Sequence, residues 1–198
     1  LDVLIDHISS YGFKRFILCT GYKADFIHEY YSHAKTSQKI LFSEETIPLG
    51  TGGAVKNAEK FIQSNPFLVM NGDSFCPINL NEFVDFHIRM GAHLSMAVAE
   101  SDNSKDFGLL ALDSSQKIIN FKEKIERRGT SYINAGIYLF DKDVLSMIPQ
   151  HVKYSLEYDL FPKLVGGKFY GFITKENLMD IGTPERYEHA KKFFKNEV

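Results

Sequence analysis

The sequence predicts an α/β fold in which a mostly parallel mixed sheet is flanked by helices. Three observations lead to this prediction. Short apolar runs alternate with helically spaced apolar residues through the first ninety positions, and a glycine-rich run, LGTGGA at 49–54, stands directly before a helical pattern. A third apolar run, Phe67 to Met70, is followed at once by Asn71-Gly72-Asp73, a typical end for a buried strand.

Composition limits the function classes to consider. The 198 residues include 44% hydrophobic and 24% charged residues, with a formal net charge of −2. These values are typical of one globular domain and give no electrostatic bias toward nucleic acid or anionic membranes. The two cysteines, Cys19 and Cys76, form no disulfide or zinc pattern, and no apolar run reaches the length of a membrane span. We therefore expect a cytoplasmic protein with neither nucleic acid nor membrane as its partner.

The first elements follow from apolar spacing. A helix is predicted from Leu1 to a C-terminal glycine, Gly12, then a strand at Phe16 to Cys19, a helix from about Lys23, and a strand at Ile40 to Phe42. The apolar face predicted to turn the second helix toward the core contains Phe26, Ile27, Tyr30 and Tyr31.

The remaining elements change in character along the chain. After the glycine run we predict a helix, the strand Phe67 to Met70, and another helix whose inward residues are Leu80, Phe83, Val84 and Ile88. Later, Leu109 to Leu112 and Ile118 to Phe121 flank a turn that contains Asp113, which predicts a hairpin, and Tyr132 to Phe140 reads as one long strand.

The glycine run suits close approach of the backbone to a ligand. Glycines before a helix remove steric bulk, and the helix N-terminus offers unpaired N–H donors and positive potential, so a nucleotide is a fitting ligand. The alternative is a flexible turn with Thr51 as the N-cap of the helix. The run matches neither the P-loop nor the dinucleotide fingerprint.

Two acids are candidates for holding a metal ion. Asp73 follows a buried strand, and a carboxylate there can hold Mg²⁺ against phosphate oxygens; an Asn-Gly-Asp turn is the alternative. Asp180 precedes Gly182, while Thr183 and Pro184 read as the N-cap and first residue of the last helix. We hypothesise that the two acids share one metal ion.

Other polar residues stand at strand and helix ends. Lys124 follows the second hairpin strand and is a candidate phosphate ligand, with a solvated strand end as the alternative. Asn134 and Gly136 share one strand face, where an amide beside a glycine can hold a flat polar ligand such as a sugar ring. Ser155 reads as an N-cap with Glu157 in the first turn, so a ligand role for Glu157 needs other support.

In this order, six segments resemble the sugar-phosphate nucleotidylyltransferases, which join a sugar 1-phosphate to a nucleoside triphosphate and release pyrophosphate. The resemblance covers nearly the whole chain and implies the Rossmann-like nucleotide-diphospho-sugar transferase fold. The matching segments are Leu49-Gly50-Thr51-Gly52-Gly53-Ala54, Gly72-Asp73, Phe121-Lys122-Glu123-Lys124, Asn134-Ala135-Gly136-Ile137-Tyr138, Glu157 and Asp180-Ile181-Gly182-Thr183-Pro184.

The resemblance also implies a role for each matching residue. Residues 1–90 are expected to form the nucleotide-binding half of a single domain and 91–198 the sugar-binding half. Asp73 and Asp180 are the expected metal ligands for Mg²⁺ and are catalytic together with Lys124, which meets the sugar phosphate. The expected nucleotide contacts are Leu49, Gly50, Thr51, Gly52, Gly53 and Gly72. The expected sugar contacts are Glu123, Asn134, Gly136 and Glu157.

Within the family, the amino-acid sequences of these segments are most similar to those of D-glycero-α-D-manno-heptose 1-phosphate guanylyltransferases. This similarity favours GTP and a heptose 1-phosphate as substrates, for capsule or lipopolysaccharide precursors. Mannose- or glucose-1-phosphate nucleotidylyltransferases and a non-catalytic nucleotide-sugar binding remnant stay open as alternatives. A related glycosyltransferase would show Asp-x-Asp, but Ser74 and Phe75 follow Asp73.

One family feature has no counterpart in the sequence. The family opens with a strand and a Gly-rich loop containing an Arg, followed by Pro-Lys-Pro, and these segments cradle the triphosphate. We expect a truncated chain that is inactive or severely impaired as it stands. The sequence leaves the oligomeric state open, with a homo-oligomer compatible with the resemblance.

Overall fold

The computed structural model describes residues 1–33, 37–101, 109–122 and 131–195. None of the helices in these ranges combines the length and apolar character needed to cross a bilayer. The helices are α1 (Asp2–Ser10), α2 (Ala24–His33), α3 (Gly50–Asn57), α4 (Leu80–Met90), α5 (Phe161–Leu164) and α6 (Pro184–Lys195). The strands are β1 (Arg15–Thr20), β2 (Lys39–Glu44), β3 (Phe67–Met70), β4 (Ser74–Phe75), β5 (Leu94–Ser101), β6 (Leu109–Leu112), β7 (Ile118–Lys122), β8 (Ser131–Phe140), β9 (Phe169–Thr174) and β10 (Met179–Asp180).

The strands form one large mixed sheet and two small ones. The large sheet has the order β7-β6-β8-β5-β9, and β3 pairs with the C-terminal part of β8, next to where β6 pairs with its N-terminal part. The strands β1 and β2 pair in parallel as a separate sheet, and β4 pairs antiparallel with β10. The predicted α/β fold with a mixed sheet flanked by helices is confirmed.

Parallel pairing does not predominate among the described strands, contrary to the prediction. The parallel pairs are β1–β2 and β5–β9, whereas β8 runs antiparallel to β3, β5 and β6. Because β3 and β5 are both antiparallel to β8, they are parallel to each other, as the helix between them indicated. Strand β8, which comes later in the chain, lies between β3 and β5. Local sequence patterns do not indicate that a strand is inserted there.

The long strand β8 separates two apolar cores, as its alternating sequence predicted. Its residues Ile133, Ala135, Ile137 and Leu139 face a core shared with α4, while Tyr138 and Phe140 face a core shared with α5 and β9. Fully burying such a side chain contributes roughly 1.5–3 kcal/mol. The two cores fix which face of β8 each polar residue of the strand occupies.

Helix α2 does not follow the predicted core-facing stripe. Phe26 is 69% exposed and Tyr30 is 57% exposed, and Ala24 is the buried residue of this helix. The hydroxyl groups of Tyr30 and Tyr31 donate instead to the Asp2 carboxylate, at 2.6 and 2.7 Å. Helical spacing found the helix, but of the predicted face Phe26 and Tyr30 lie at the surface, while Ile27 and Tyr31 are partly buried and Tyr31 packs against the core shared with α4.

Helix α4 begins and ends as its sequence indicates. Asn79 caps its N-terminus by accepting hydrogen bonds from Asn81 and Glu82, and Gly91 ends it in the left-handed conformation with φ +55°. Leu80 and Phe83 are buried as predicted, but Ile88 is 63% exposed. The buried residue at this point of α4 is His87 and not Ile88, so the predicted inward-facing residue is wrong by one position.

Other local predictions are confirmed. Gly12 follows α1 with φ +87°, and its N–H donates to the carbonyl of Ser9. The predicted hairpin is the antiparallel pair β6–β7, whose turn is held by the Asp113 carboxylate. That carboxylate accepts hydrogen bonds from the backbone N–H groups of Ser115 and Lys117. These features depend on neighbouring residues only, so local sequence signals were sufficient.

The buried His87 joins α4 to the large sheet. Its Nδ1 lies 2.9 Å from the Ser95 hydroxyl of β5, and its Nε2 lies 3.5 Å from Asp141, directly after β8. Desolvation lowers the pKa of His87, a shift that the Asp141 carboxylate partly opposes and the nearby His93 reinforces. His87 therefore prefers the neutral form in the folded protein.

This histidine makes stability pH-dependent. Below the unfolded pKa of about 6.5, the unfolded chain binds a proton that the folded protein takes up only at lower pH, so the free energy of unfolding falls as pH falls. The slope from one group is at most about 1.4 kcal/mol per pH unit. We expect His87→Gln to show a flatter slope between pH 6.5 and 5 in urea denaturation. Measurement at pH 8 separates any pH-independent loss, and an unchanged slope would contradict the prediction.

Candidate functional site

A cleft of about 580 Å³ lies between β1 and β3. Ile17–Thr20 and Phe67–Met70 form its strand-lined sides, and Ala54 and Val55 of α3 contribute to it. Its polar lining includes Thr20 at the end of β1, Thr51, and the segment Asn71–Asp73 at the carboxyl end of β3. Among the described strands, β1 pairs only with β2 and β3 only with β8, so a further strand between them would join the two sheets. The polar end of the cleft is the place where open α/β sheets bind ligands.

The cysteine in this cleft is not an activated nucleophile. The Cys19 side chain lines the cleft, and its thiol lies 3.6 Å from the carbonyl oxygen of Ala54. Cys19 is exposed to the cleft, yet desolvation by the protein atoms around it, with a smaller effect of the Glu45 carboxylate, raises the pKa of its thiol to about 11. A reactive cysteine needs a lowered pKa, so this thiol gives the site no thiolate chemistry.

The short pair β4–β10 brings the two candidate metal ligands together. Asp180 pairs with Ser74, the residue directly after Asp73, and the N–H of Ile181 donates to the carbonyl of Asp73 at 2.9 Å. Residues more than a hundred positions apart in sequence therefore occupy neighbouring backbone positions. The backbone at Asp73 is therefore adjacent to the backbone at Asp180, and a shared metal ion stays a prediction.

Asp180 is held by partners on its own side of the pair. Its Oδ1 accepts a hydrogen bond from the Arg186 guanidinium at 2.8 Å and from the N–H of Gly182 at 3.1 Å. Thr183 caps α6 by accepting a hydrogen bond from the Arg186 N–H, with Pro184 as the first helical residue, as predicted. Sequence reasoning missed Arg186; its position in the first turn of the helix that follows the acid is the signal that could have identified it.

The donor set fits Mg²⁺ bound together with a substrate. Among the described residues, no group of three or more His, Cys, Asp or Glu side chains could hold a metal ion by itself. Mg²⁺ is commonly bound by one or two carboxylates plus substrate phosphates, so Asp73 and Asp180 are the residues that could hold it here. Because Arg186 engages Oδ1 of Asp180, that oxygen is the less available one.

The glycine run contacts protein rather than open space. The N–H groups of Gly52 and Gly53 donate to the Tyr154 carbonyl at 2.9 and 3.0 Å, and the Tyr154 N–H donates to the Leu49 carbonyl at 2.8 Å. The prediction of unpaired N–H donors is therefore wrong for these two glycines. The alternative, a turn with Thr51 as the N-cap, is not observed either, because α3 begins at Gly50 with Leu49 as its N-cap.

Steric space explains why glycines occupy these positions. A Cβ at Gly50, whose φ is +73°, would lie 2.9 Å from the Tyr154 oxygen, and one at Gly52 would lie 2.9 Å from the Tyr154 ring. A Cβ at Gly53 would lie 2.9 Å from the Val152 oxygen. The glycines thus let α3 dock closely against residues 152–156.

Thr51 connects this docked segment to Glu157. The Thr51 hydroxyl donates to Glu157 Oε2 at 2.7 Å and accepts a hydrogen bond from the Leu156 N–H at 2.8 Å. Ser155 caps the turn that follows, as predicted, and its hydroxyl also donates to Glu157 Oε2. Residues assigned by resemblance to the nucleotide and to the sugar are therefore in direct contact.

Asn134 and Gly136 lie at an irregular point of β8. Residues 135–137 lie opposite the single residue Ala97 of β5, and Gly136 has φ +73°. The Asn134 amide donates to the Tyr138 hydroxyl and accepts from the Gly136 N–H. The Gly136 carbonyl accepts from the Asn71 N–H. This bulge therefore connects β8 with the segment Asn71–Asp73 at the cleft.

The structure brings together some of the predicted site residues and leaves others untested. Gly72 and Asp73 lie at the cleft with Thr51, and Asp180 is adjacent through β4–β10. Glu123 and Lys124 fall outside the described residues, since the description of β7 ends at Lys122.

Substitution of Gly53 tests the docking of α3. We expect Gly53→Ala to lower the free energy of unfolding by about 1–2 kcal/mol, because its Cβ would overlap with backbone and overpacking costs exceed the helix propensity gained. Urea denaturation provides the measurement. In Gly72→Ala the Cβ would lie 3.5 Å from the Leu1 side chain, an ordinary contact, so this control should change stability by less than about 0.5 kcal/mol. Equal losses in both variants would contradict the prediction.

Comparison with known proteins places this geometry in context. The family model described as Nucleotidyl transferase matches residues 1–197. The chain is 32% identical over 193 residues to the D-glycero-alpha-D-manno-heptose 1-phosphate guanylyltransferase of Aneurinibacillus thermoaerophilus, covering 97% of this chain and 83% of the relative. It is 32% identical over 191 residues to the Mannose-1-phosphate guanylyltransferase of Mycobacterium tuberculosis, covering 94% of this chain but 53% of the relative.

A solved structure supports the same grouping. The chain resembles HddC from Yersinia pseudotuberculosis complexed with GMP-PN, with a TM-score of 0.85, 36% identity and coverage of 96% of this chain and 83% of that one. A UDP-glucose pyrophosphorylase complexed with UDP-glucose has a TM-score of 0.82 at 15% identity, which supports the shared fold alone. The predicted nucleotide-diphospho-sugar transferase fold is confirmed.

Proposed function

Since the chain belongs to the nucleotidyl transferase family, we propose that it transfers a nucleotidyl group, guanylyl from GTP, to a sugar 1-phosphate. A heptose 1-phosphate is the favoured acceptor, and the products are pyrophosphate and a nucleotide sugar for cell-surface glycan synthesis. The heptose guanylyltransferase relative supports this choice, because the chain covers 83% of its length. A cytoplasmic location accords with the two free cysteines.

One observation carries the proposal: the β4–β10 pair places Asp73 beside Asp180 at the carboxyl end of β3. In phosphoryl and nucleotidyl transfer, catalysis comes mainly from positioning and electrostatic stabilisation. We propose that Asp73 and Asp180 hold Mg²⁺, which when bound would neutralise charge on the phosphate oxygens. In the transfer, the sugar phosphate oxygen attacks the α-phosphorus in line and pyrophosphate leaves, so no covalent enzyme intermediate is needed.

The remaining residues would position the substrates. Leu49, Gly50, Gly52, Gly53 and Gly72 belong to the segments proposed to meet the nucleotide, with the glycines acting through the docked start of α3. Asn134, Gly136 and Glu157 are proposed to meet the sugar, together with Glu123. Lys124 is proposed to orient the attacking phosphate as a point charge.

A mannose 1-phosphate guanylyltransferase is the second candidate. The mannose-1-phosphate guanylyltransferase of Mycobacterium tuberculosis supports it, although this chain spans about half of that relative's length. Glucose 1-phosphate and a non-catalytic nucleotide-sugar binding protein are further alternatives, and they predict different results in one assay.

The assay measures pyrophosphate release. The protein, and the same chain preceded by the first strand and Gly-rich loop of the heptose relative, are supplied with Mg²⁺, each of four nucleoside triphosphates, and heptose, mannose or glucose 1-phosphate. We expect turnover with GTP and heptose 1-phosphate in the extended protein. Release with mannose or glucose 1-phosphate alone would select those candidates. No release by either protein with any pair would contradict the proposed transferase.

The two acids provide a specific test of the metal site. We expect Asp73→Asn and Asp180→Asn to lower kcat at least about a hundredfold, as expected when stabilisation of developing charge is removed. Asp143→Asn changes an exposed carboxylate outside the cleft and serves as the matched control. Retention of wild-type kcat in both site variants, with the control also unchanged, would exclude the proposed metal ligands.

A further inference from the structure

We propose that Thr51 is a positioning residue for Glu157, through which the glycine segment 49–53 controls the sugar site. In this assignment the Thr51 hydroxyl orients the carboxylate that meets the sugar and makes no contact of its own with the nucleotide. The inference rests on the proposed function, because it takes Glu157 as a sugar contact. It replaces the role that resemblance alone gave to Thr51.

The hydrogen bonds of Thr51 support this assignment. A threonine hydroxyl has one proton to donate, and here that proton is donated to Glu157 Oε2 at 2.7 Å. The Thr51 hydroxyl oxygen itself accepts a hydrogen bond from the N–H of Leu156 at 2.8 Å. The hydroxyl therefore cannot donate to a nucleotide unless it releases Glu157.

The surroundings of Glu157 leave one carboxylate oxygen for a ligand. Oε2 accepts two hydroxyl donors, from Thr51 and Ser155, each at 2.7 Å. These are short, charge-assisted hydrogen bonds, which fix the orientation of a carboxylate more firmly than neutral ones. Within the described ranges, no side chain or backbone group donates to Oε1. An oriented carboxylate with one unoccupied oxygen is suited to accept a hydrogen bond from a sugar hydroxyl.

The docked start of α3 makes this orientation rigid. Thr51 lies in the first turn of α3, where the N–H groups of Gly52 and Gly53 donate to Tyr154, three residues before Glu157. The threonine side chain has two χ1 rotamers available in a helix, and the hydrogen bonds with Glu157 and Leu156 select one of them. A displacement of the glycine segment would therefore displace the Glu157 carboxylate as well.

Two ligands separate this role from direct nucleotide binding. Calorimetry would give the dissociation constants of GDP and GDP-mannose in Mg²⁺ for the wild type, Thr51→Val and Thr51→Ser. We expect Thr51→Val to weaken GDP-mannose about tenfold more than it weakens GDP, on the scale of one lost hydrogen bond to a charged group. Thr51→Ser keeps the hydroxyl and should restore the wild-type ratio of the two constants.

A double-mutant cycle tests whether Thr51 acts through Glu157. If it does, Thr51→Val in a Glu157→Ala background should cause no further loss of GDP-mannose affinity, because the carboxylate to be oriented is gone. Ser146→Ala removes a hydroxyl from an exposed position outside the cleft and is the control for general effects of substitution. Thermal denaturation of each variant confirms that the binding measurements use folded protein.

Each outcome decides the inference. Equal weakening of GDP and GDP-mannose by Thr51→Val would make Thr51 a direct nucleotide contact and overturn it, as would fully additive effects in the cycle. If the wild type binds GDP and GDP-mannose with equal affinity, Glu157 makes no sugar contact that contributes to binding. That result would also overturn the inference. These results leave the proposed transferase intact. A wild-type protein that binds neither ligand would overturn the inference, whereas the pyrophosphate assay decides the proposed transferase.

Discussion

The insertion of β8 between β3 and β5 is the constraint on which the rest of the structure depends. This strand pairs along its length with β5 and, at its C-terminal end, with β3. Its alternating side chains fill both apolar cores. Because β3 has its described pairing only with β8, the position of Asp73 at the end of β3 is fixed by a strand that begins almost sixty residues later. The bulge at Gly136 then adds a second connection to the same segment, through the Asn71 N–H and the Gly136 carbonyl.

A second constraint is the close docking of α3 on residues 152–156. Glycines are commonly interpreted as room for a ligand, but here a Cβ at Gly50 or Gly52 would meet Tyr154. Backbone hydrogen bonds between Leu49 and Tyr154, and from Gly52 and Gly53 to Tyr154, turn two distant segments into one unit. The physical consequence is that a nucleotide and a sugar bound to these segments would be held at a fixed separation. Fixing the separation of two reactants is itself a large contribution to catalysis of transfer reactions.

The charges around Asp73 and Asp180 also depend on which elements of the fold lie next to each other. Asp180 is the last residue of β10, and the first turn of α6 supplies Arg186, which forms an ion pair with it. The guanidinium therefore brings a positive charge next to the two acids. A site with two acids and one nearby cation is suited to a ligand in which a metal ion and phosphate groups bind together. Neither the metal ion alone nor the phosphate alone would balance the charge of these three side chains.

The sequence by itself determined some of the elements and their ends, because these depend on neighbours along the chain: β3, the β6–β7 hairpin, Gly12 after α1, and the caps at Ser155 and Thr183. The strands β4, β5, β9 and β10 were not predicted from it. It also determined the alternation of β8 and, through six ordered segments, the family. Only the tertiary structure decided that β3 pairs with β8, that Phe26 and Tyr30 face outward, and that the glycine N–H groups are already engaged by Tyr154. It alone revealed Arg186 beside Asp180 and Thr51 on Glu157. The reason is physical: spacing along the chain fixes which residues share a face, but which partner covers that face depends on contacts between segments far apart in sequence.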